Sequence, residues 1–274
     1  MAGYDNVPDY EIRRQIVEVA QMMNRKGLVG TYEGNISVLK GDKVYETPSG
    51  NSKELLTEGK IICVDRQGKV LEGELAPTSE TPMHTICYTL RDDVHSVVHC
   101  HAPYCTAFAQ ASMEYDDPAS PEFQILFGKV PCLKYGTPGS PEIIEELPKY
   151  IKDYDVVFLA NHGVLAVGST PLEAYSRIMS VEMLLQVYFI RKMLFPNVEC
   201  DLPADEIAKL AKMHDEKRGS ARLAPSGICP NECGTQPTWL GPVSCWNKIV
   251  WFVIAAKSAP AEKSTRARGT SRQR

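Results

Sequence analysis

Three of the six histidines in this chain fall within seven positions, in the stretch HSVVHCHA at residues 95–102. Side chains two apart along a β-strand share one face, so His99 and His101 would stand side by side, a common way for a strand to offer nitrogen ligands to a metal. A half-buried strand whose histidines hydrogen-bond to neighbouring loops has the same spacing, so a metal needs further ligands. His162, in ANHGVL, is the candidate third: it sits between two short apolar runs and is followed by a glycine. His95 shares the face of His99 but lies roughly 13 Å away along an extended strand. A carboxylate is available at Glu80, in PTSETPMH, near a predicted helix start. Beside a divalent cation it can ligate or move a proton; by itself it reads as a helix N-terminal glutamate favoured by the dipole. His84, four residues on, shares its helix face and either orients Glu80 or packs. Three histidines and a carboxylate complete a zinc sphere with room for a substrate.

Small polar residues and glycines form a second set: Gly34 and Asn35, then Thr47 to Gly50 with Ser49 among them, then Thr78 and Ser79. Each pair lies where an element begins or ends. Backbone N–H groups, hydroxyls and an amide at such turns can cradle a phosphate without a lysine, although singly they are ordinary turn chemistry. Tyr135, in PCLKYGTPGS, is a loop tyrosine able to donate a proton.

The elements that must position these residues are legible in the pattern. Apolar residues at 12, 16, 17, 19, 20, 22 and 23 mark an amphipathic helix closed by Gly27. NISVLK and KVYETP form a hairpin around GD, and KIICVD with VLEG a second. A helix over about 78–91 feeds the histidine strand at 95–101, and another follows from about 103. DVVFLANHGVLAVG gives two strands interrupted by NHG, and the longest helical pattern starts at Thr170 and Pro171. Helices interleaved with antiparallel hairpins predict an α/β single-domain fold of three layers, with a central, mainly antiparallel sheet flanked by helices. No Gly-x-Gly-x-x-Gly turn follows a strand and there is no P-loop.

Composition bounds the rest. A chain of 274 residues with 43% hydrophobic and 23% charged residues reads as globular. A net charge of −4 argues against a general nucleic-acid binder. The start lacks the apolar core of a signal peptide, and the longest apolar run, IVWFVIAA at 249–256, is too short to span a bilayer. Nine scattered cysteines then read as reduced thiols in a cytoplasm rather than a disulfide framework. All three tryptophans lie after residue 219 and all twelve tyrosines before it; residues 219–274 carry a net +6, against −10 for the first 218. Residues 1–218 are therefore the expected catalytic domain. Residues 219–274 are the expected appendage: basic, partly disordered, and holding Cys229, Cys233 and Cys245 at uneven spacing.

GNIS, TPSG, TSE…H, HCHA and NHG, in this order and at these separations, resemble the class II aldolase/adducin-head family over about residues 10–215. The resemblance implies His99, His101 and His162 as ligands of one Zn2+ per chain. It implies Glu80 as a fourth ligand that swings off to move a proton. Gly34, Asn35, Ser49, Gly50, Thr78 and Ser79 match the family's phosphate-binding positions, and Tyr135 its tyrosine that reaches a neighbouring subunit's site. The implied assembly is a homotetramer with sites at subunit interfaces, acting on a small phosphorylated sugar and on neither nucleic acid nor membrane. The implied reaction is retro-aldol cleavage of a ketose 1-phosphate, L-fuculose 1-phosphate or a related deoxyketose 1-phosphate, to dihydroxyacetone phosphate and an aldehyde such as lactaldehyde. Glutamate at position 80, where the 4-epimerases carry aspartate, favours the aldolases. Dehydration of methylthioribulose 1-phosphate, 4-epimerisation of a pentulose phosphate and a non-enzymatic adducin-head role remain as alternatives.

Overall fold

The structure, a computed structural model, describes residues 3–223. Eight strands make one sheet: β1 (Asn35–Lys40), β2 (Lys43–Glu46), β3 (Ile62–Asp65), β4 (Val70–Glu72), β5 (Ser96–Cys100), β6 (Cys132–Leu133), β7 (Val156–Leu159) and β8 (Gly163–Gly168). Their order is β4-β3-β2-β1-β5-β8-β7-β6. Every neighbouring pair is antiparallel except β6 and β7. Both expected hairpins and the histidine strand are present, and β5 lies at the centre between β1 and β8.

Seven helices among the described residues accompany the sheet: α1 (Asp9–Arg25), α2 (Thr81–Leu90), α3 (Pro103–Gln110), α4 (Pro121–Leu126), α5 (Pro141–Glu146), α6 (Pro171–Leu194) and α7 (Ala204–Leu223), the last packed on α4. Alternation along the strands divides the core in two. Ile36, Val38, Val98, Cys100, Val164 and Ala166 pack with the apolar stripes of α1, α3 and α6, including Ile12, Ile16, Cys105, Ile178 and Leu185. Val97, Leu165, Val167, Val157 and Leu159 face the other way, onto Met83, Cys87 and Tyr88 of α2 and onto Leu147 and Ile151. The result is the expected α/β arrangement of helices, central mainly antiparallel sheet and helices, made mixed by the two-residue β6.

One element boundary differs from the sequence reading. The helix expected from 78 begins at Thr81, so Glu80 is its N-cap, in a non-helical conformation (φ −98°, ψ 4°). The helix α7 carries the chain past residue 218, where the sequence suggested a division. The segment holding Cys229, Cys233 and Cys245 lies outside the described residues. The six cysteines among the described residues are free thiols, and none of the described helices is long and apolar enough to cross a membrane.

Candidate metal centre and active site

His99 ends the odd-numbered row of β5 that faces the α2 layer, and His101 follows one step beyond the strand. His162 arrives on the turn between β7 and β8. There Asn161 adopts a left-handed conformation (φ 58°), which asparagine tolerates better than most residues, and His162 N–H donates to Leu159 O at 2.9 Å. The three rings converge with centroids 4.5 Å (His99–His162), 5.1 Å (His101–His162) and 5.2 Å (His99–His101) apart. One ligand nitrogen from each lies within 4.8 Å of the others. His95 takes no part: its ring packs against Gly3.

The protonation state of His99 follows from its partner. Its Nδ1 lies 3.0 Å from Val164 O, and a carbonyl can only accept, so Nδ1 carries the proton and Nε2 a lone pair. That Nε2 is buried without a hydrogen-bond partner, as is Nδ1 of His162. Burial pushes the pKa of all three imidazoles down, which keeps them neutral at pH 7. Glu80, 7% exposed, aims its carboxylate at them, with Oε1 3.4 Å from His162 Nε2 and Oε2 3.6 Å from His99 Nε2. Burial opposes its charge, but the pKa lies below the ordinary carboxylate value, and with the imidazoles neutral it is the Asn35 amide hydrogen bond that favours the ionised form. Neutral imidazoles with an orphaned buried nitrogen, beside an ionised carboxylate, are a donor set that fits a divalent cation.

A buried hydrogen-bond chain orients Glu80. Asn35 Nδ2 donates to Glu80 Oε2 at 2.6 Å, and Asn35 Oδ1 accepts from His84 Nε2 at 2.6 Å. His84 Nδ1 then accepts from Ser37 Oγ, which accepts in turn from Tyr88 Oη, both at 2.6 Å. Burial lowers the His84 pKa to about 4, consistent with the neutral tautomer this chain requires. His84 thus acts on Glu80 through Asn35, which pairs with His99 across β1 and β5.

Gly34, Asn35, Ser49, Gly50, Thr78 and Ser79 line one cavity of about 190 Å3 together with Glu80, His99, His101 and His162. Gly34 is required where it stands: its φ is 74°, and a Cβ would lie 2.8 Å from His99 O. Two N–H groups of the set are already engaged, Ser49 N–H with Ala76 O at 2.9 Å and Thr78 N–H with Glu46 Oε1 at 3.3 Å. Tyr135 is 57% exposed, on the loop after β6, and is not among the residues lining the cavity. The sequence reading missed three contributors. Lys53 and Glu33 form part of the wall, and fully buried Glu46, its pKa raised to about 7 by burial, holds Thr78 and Thr81 in place.

Gly163 closes the arrangement. A Cβ there would stand 2.5 Å from Cys100 O, 2.8 Å from His101 Cδ2 and 3.2 Å from His99 Cε1. Gly163→Ala is therefore expected to force β5 and β8 apart at the ligands, at about 1–3 kcal/mol. Thermal unfolding should show a modest loss, and titration with a divalent cation such as zinc a loss of affinity of at least about tenfold. Wild-type zinc affinity in this variant would show that the rings tolerate the displacement.

The model of the class II aldolase and adducin N-terminal domain family matches residues 14–189. An L-fuculose phosphate aldolase of Methanococcus maripaludis is 34% identical over 169 residues, covering 62% of this chain and 91% of the relative. A 5-deoxy-D-ribulose 1-phosphate aldolase of Bacillus thuringiensis is 32% identical over 205 residues, 73% of this chain and 93% of the relative. Among solved structures, an L-fuculose 1-phosphate aldolase superposes with a TM-score of 0.67 at 28% identity, covering 75% of this chain and 96% of that one.

Proposed function

Since the chain belongs to the class II aldolase and adducin N-terminal domain family, we propose that it is a metal-dependent aldehyde-lyase. It cleaves the C3–C4 bond of a ketose 1-phosphate, L-fuculose 1-phosphate or a related deoxyketose 1-phosphate, to dihydroxyacetone phosphate and an aldehyde such as lactaldehyde. The observation that carries this reading is the Glu80 carboxylate, ionised and buried, 3.4–3.6 Å from nitrogens of two members of a three-histidine cluster in a cavity lined by hydroxyls and glycines. Both sugars named for the relatives are ketose 1-phosphates with a terminal methyl group, which supports the substrate class.

His99, His101 and His162, with Glu80, would hold one Zn2+ per chain, and that cation would supply a Lewis acid that draws negative charge from the ketose oxygens. Gly34, Asn35, Ser49, Gly50, Thr78 and Ser79 bind the phosphate end and so fix C3 against Glu80. When the C3–C4 bond breaks, the C4 hydroxyl loses its proton and becomes the aldehyde, while C3 gains one. Glu80, ionised at rest, takes up the proton that the C4 hydroxyl gives up and delivers it to C3. Tyr135, which does not line its own chain's cavity, assists the aldehyde oxygen in a neighbouring subunit's site, which calls for an oligomer, the homotetramer that the family resemblance implies.

The test is release of dihydroxyacetone phosphate from L-fuculose 1-phosphate and 5-deoxy-D-ribulose 1-phosphate, with and without chelator, alongside metal content. One metal per chain and chelator-sensitive release are expected. Bound metal with no release from either sugar overturns the aldolase reading in favour of dehydration or epimerisation, and no metal at all favours a non-enzymatic role.

A further inference from the structure

We propose that Lys53 is the cation that neutralises the substrate's phosphate, a residue outside the hydroxyl and glycine set that the family resemblance supplies. The proposal rests on the reading that the ligand is a sugar phosphate, and it says which side chain carries the charge.

Lys53 is 1% exposed, yet it forms part of the wall of the cavity that holds Ser49, Gly50, Thr78 and Ser79. A lysine is almost never fully buried unless it is paired. Here the ammonium, with three protons to donate, reaches only main-chain carbonyls: Asn51 O at 3.2 Å and Tyr32 O at 3.4 Å. Among the described residues no carboxylate stands within ion-pair distance of it. Glu33, on the loop before β1, faces it from farther off. Burial pushes the Lys53 pKa down to about 8 against the pull of Glu33. A buried ammonium held by two carbonyls, with capacity for one more strong acceptor, is built for an anion.

The rest of the cavity needs such a charge. Ser49 N–H and Thr78 N–H, two donors expected of a backbone cradle, are turned to Ala76 O and Glu46 Oε1. The hydroxyls of Ser49, Thr78 and Ser79 carry no charge, and the same cavity holds the Glu33 and Glu80 carboxylates. A phosphate dianion placed there would meet the carboxylates of Glu33 and Glu80, and Lys53 is the one lysine or arginine among the residues lining the cavity.

The experiment is calorimetric titration of inorganic phosphate into the full chain, with and without chelator, so that phosphate on a metal at the histidines is told apart from phosphate at Lys53. Wild type is compared with Lys53→Met and Lys53→Arg. Loss of a charge-assisted contact predicts roughly 10- to 100-fold weaker phosphate binding in Lys53→Met, and retention within a fewfold in Lys53→Arg. KM for the ketose phosphate should rise in parallel in Lys53→Met, with kcat much less affected. Cobalt binding at the histidines should be unchanged, which separates lost charge from a collapsed site.

The pH profile adds a readout that a purely structural lysine would not move. The titratable groups facing Lys53 or sharing its cavity are Glu33, Tyr32, Glu80, His99, His101 and His162. Phosphate restores the proton that burial disfavours, so wild-type affinity for the dianion falls as pH rises above 8, by up to about tenfold per pH unit. Lys53→Arg, charged throughout, should stay flat from pH 8 to 10.

Wild-type phosphate affinity in Lys53→Met, or no phosphate binding by wild type at all, overturns the proposal. So does borohydride trapping of dihydroxyacetone phosphate on Lys53, which would make it an amine nucleophile instead. Phosphate binding that depends on Lys53 without any sugar cleavage would uphold the phosphate site and overturn the aldolase reading. Cleavage with Lys53-independent phosphate binding would do the reverse.

Discussion

Glu80→Gln is expected to lower turnover roughly 10^2- to 10^4-fold, the range for losing a positioned proton carrier, while leaving the protein folded. Glutamine is isosteric, and its amide oxygen can still accept the 2.6 Å hydrogen bond from Asn35, so the chain through His84, Ser37 and Tyr88 keeps its donors in order. Glu80 caps α2 by position only; its side chain makes no capping hydrogen bond, so the helix start loses nothing. Removing a buried charge beside neutral imidazoles carries little stability penalty. What disappears is a carboxylate that can accept and return a proton at the cavity floor, since the neighbouring Asn35 carboxamide cannot. A half-reaction isolates this role: wild type should exchange a C3 proton of dihydroxyacetone phosphate with deuterated water, and Glu80→Gln should not. Turnover within tenfold of wild type, or undiminished exchange, would remove Glu80 from the proton path.

The site was legible where residue type and period coincide. His99 and His101 announce themselves because two histidines two apart on an apolar strand must share a face. His162 was legible as a histidine on a tight turn, and the antiparallel pairing of β5 with β8, Cys100 opposite Val164, explains why that turn meets the same face. The hydroxyl and glycine set was legible only as a combination, since each pair alone is turn chemistry. Lys53 was not legible. A lysine in an irregular segment after Gly50 has no period, and the default for lysine is exposure; only the packing of that loop under Tyr32 turns it inward. Glu46 escaped notice because a polar residue at the end of a strand looks the same whether it meets water or the start of α2. The two-residue β6 is too short to leave a pattern, yet its parallel pairing with β7 sets where the loop carrying Tyr135 leaves the sheet. Sequence therefore specified the chemistry at the floor of the cavity and left the charge on its wall to tertiary packing.

His162→Ala should abolish stoichiometric metal binding and with it turnover, by roughly 10^3-fold or more, because Lewis-acid stabilisation is worth several kcal/mol. Of the three ligands His162 is the most separable from the fold. Its ring reaches the cluster from a turn, whereas His99 is fully buried in the central strand and donates to Val164 O. Removing the His162 ring leaves β7 and β8 paired, since that ladder is built from main-chain contacts at Val156, Val157, Phe158 and Leu159. A stability readout checks the assignment without any substrate. A ligand present at 1,000 times its dissociation constant stabilises the native state by about 4 kcal/mol, or about 10 °C in Tm for a domain of this size. Zinc should therefore raise the Tm of wild type by that order and that of His162→Ala by a few degrees at most, while the two melt alike in chelator. Full metal content in His162→Ala would mean that the ion sits on some other donor. Two neutral imidazoles and a carboxylate can hold a divalent ion weakly, so a residual shift of a few degrees at high zinc is compatible with the assignment. An undiminished shift is not, because the variant would have lost one of the four donors assigned to the ion.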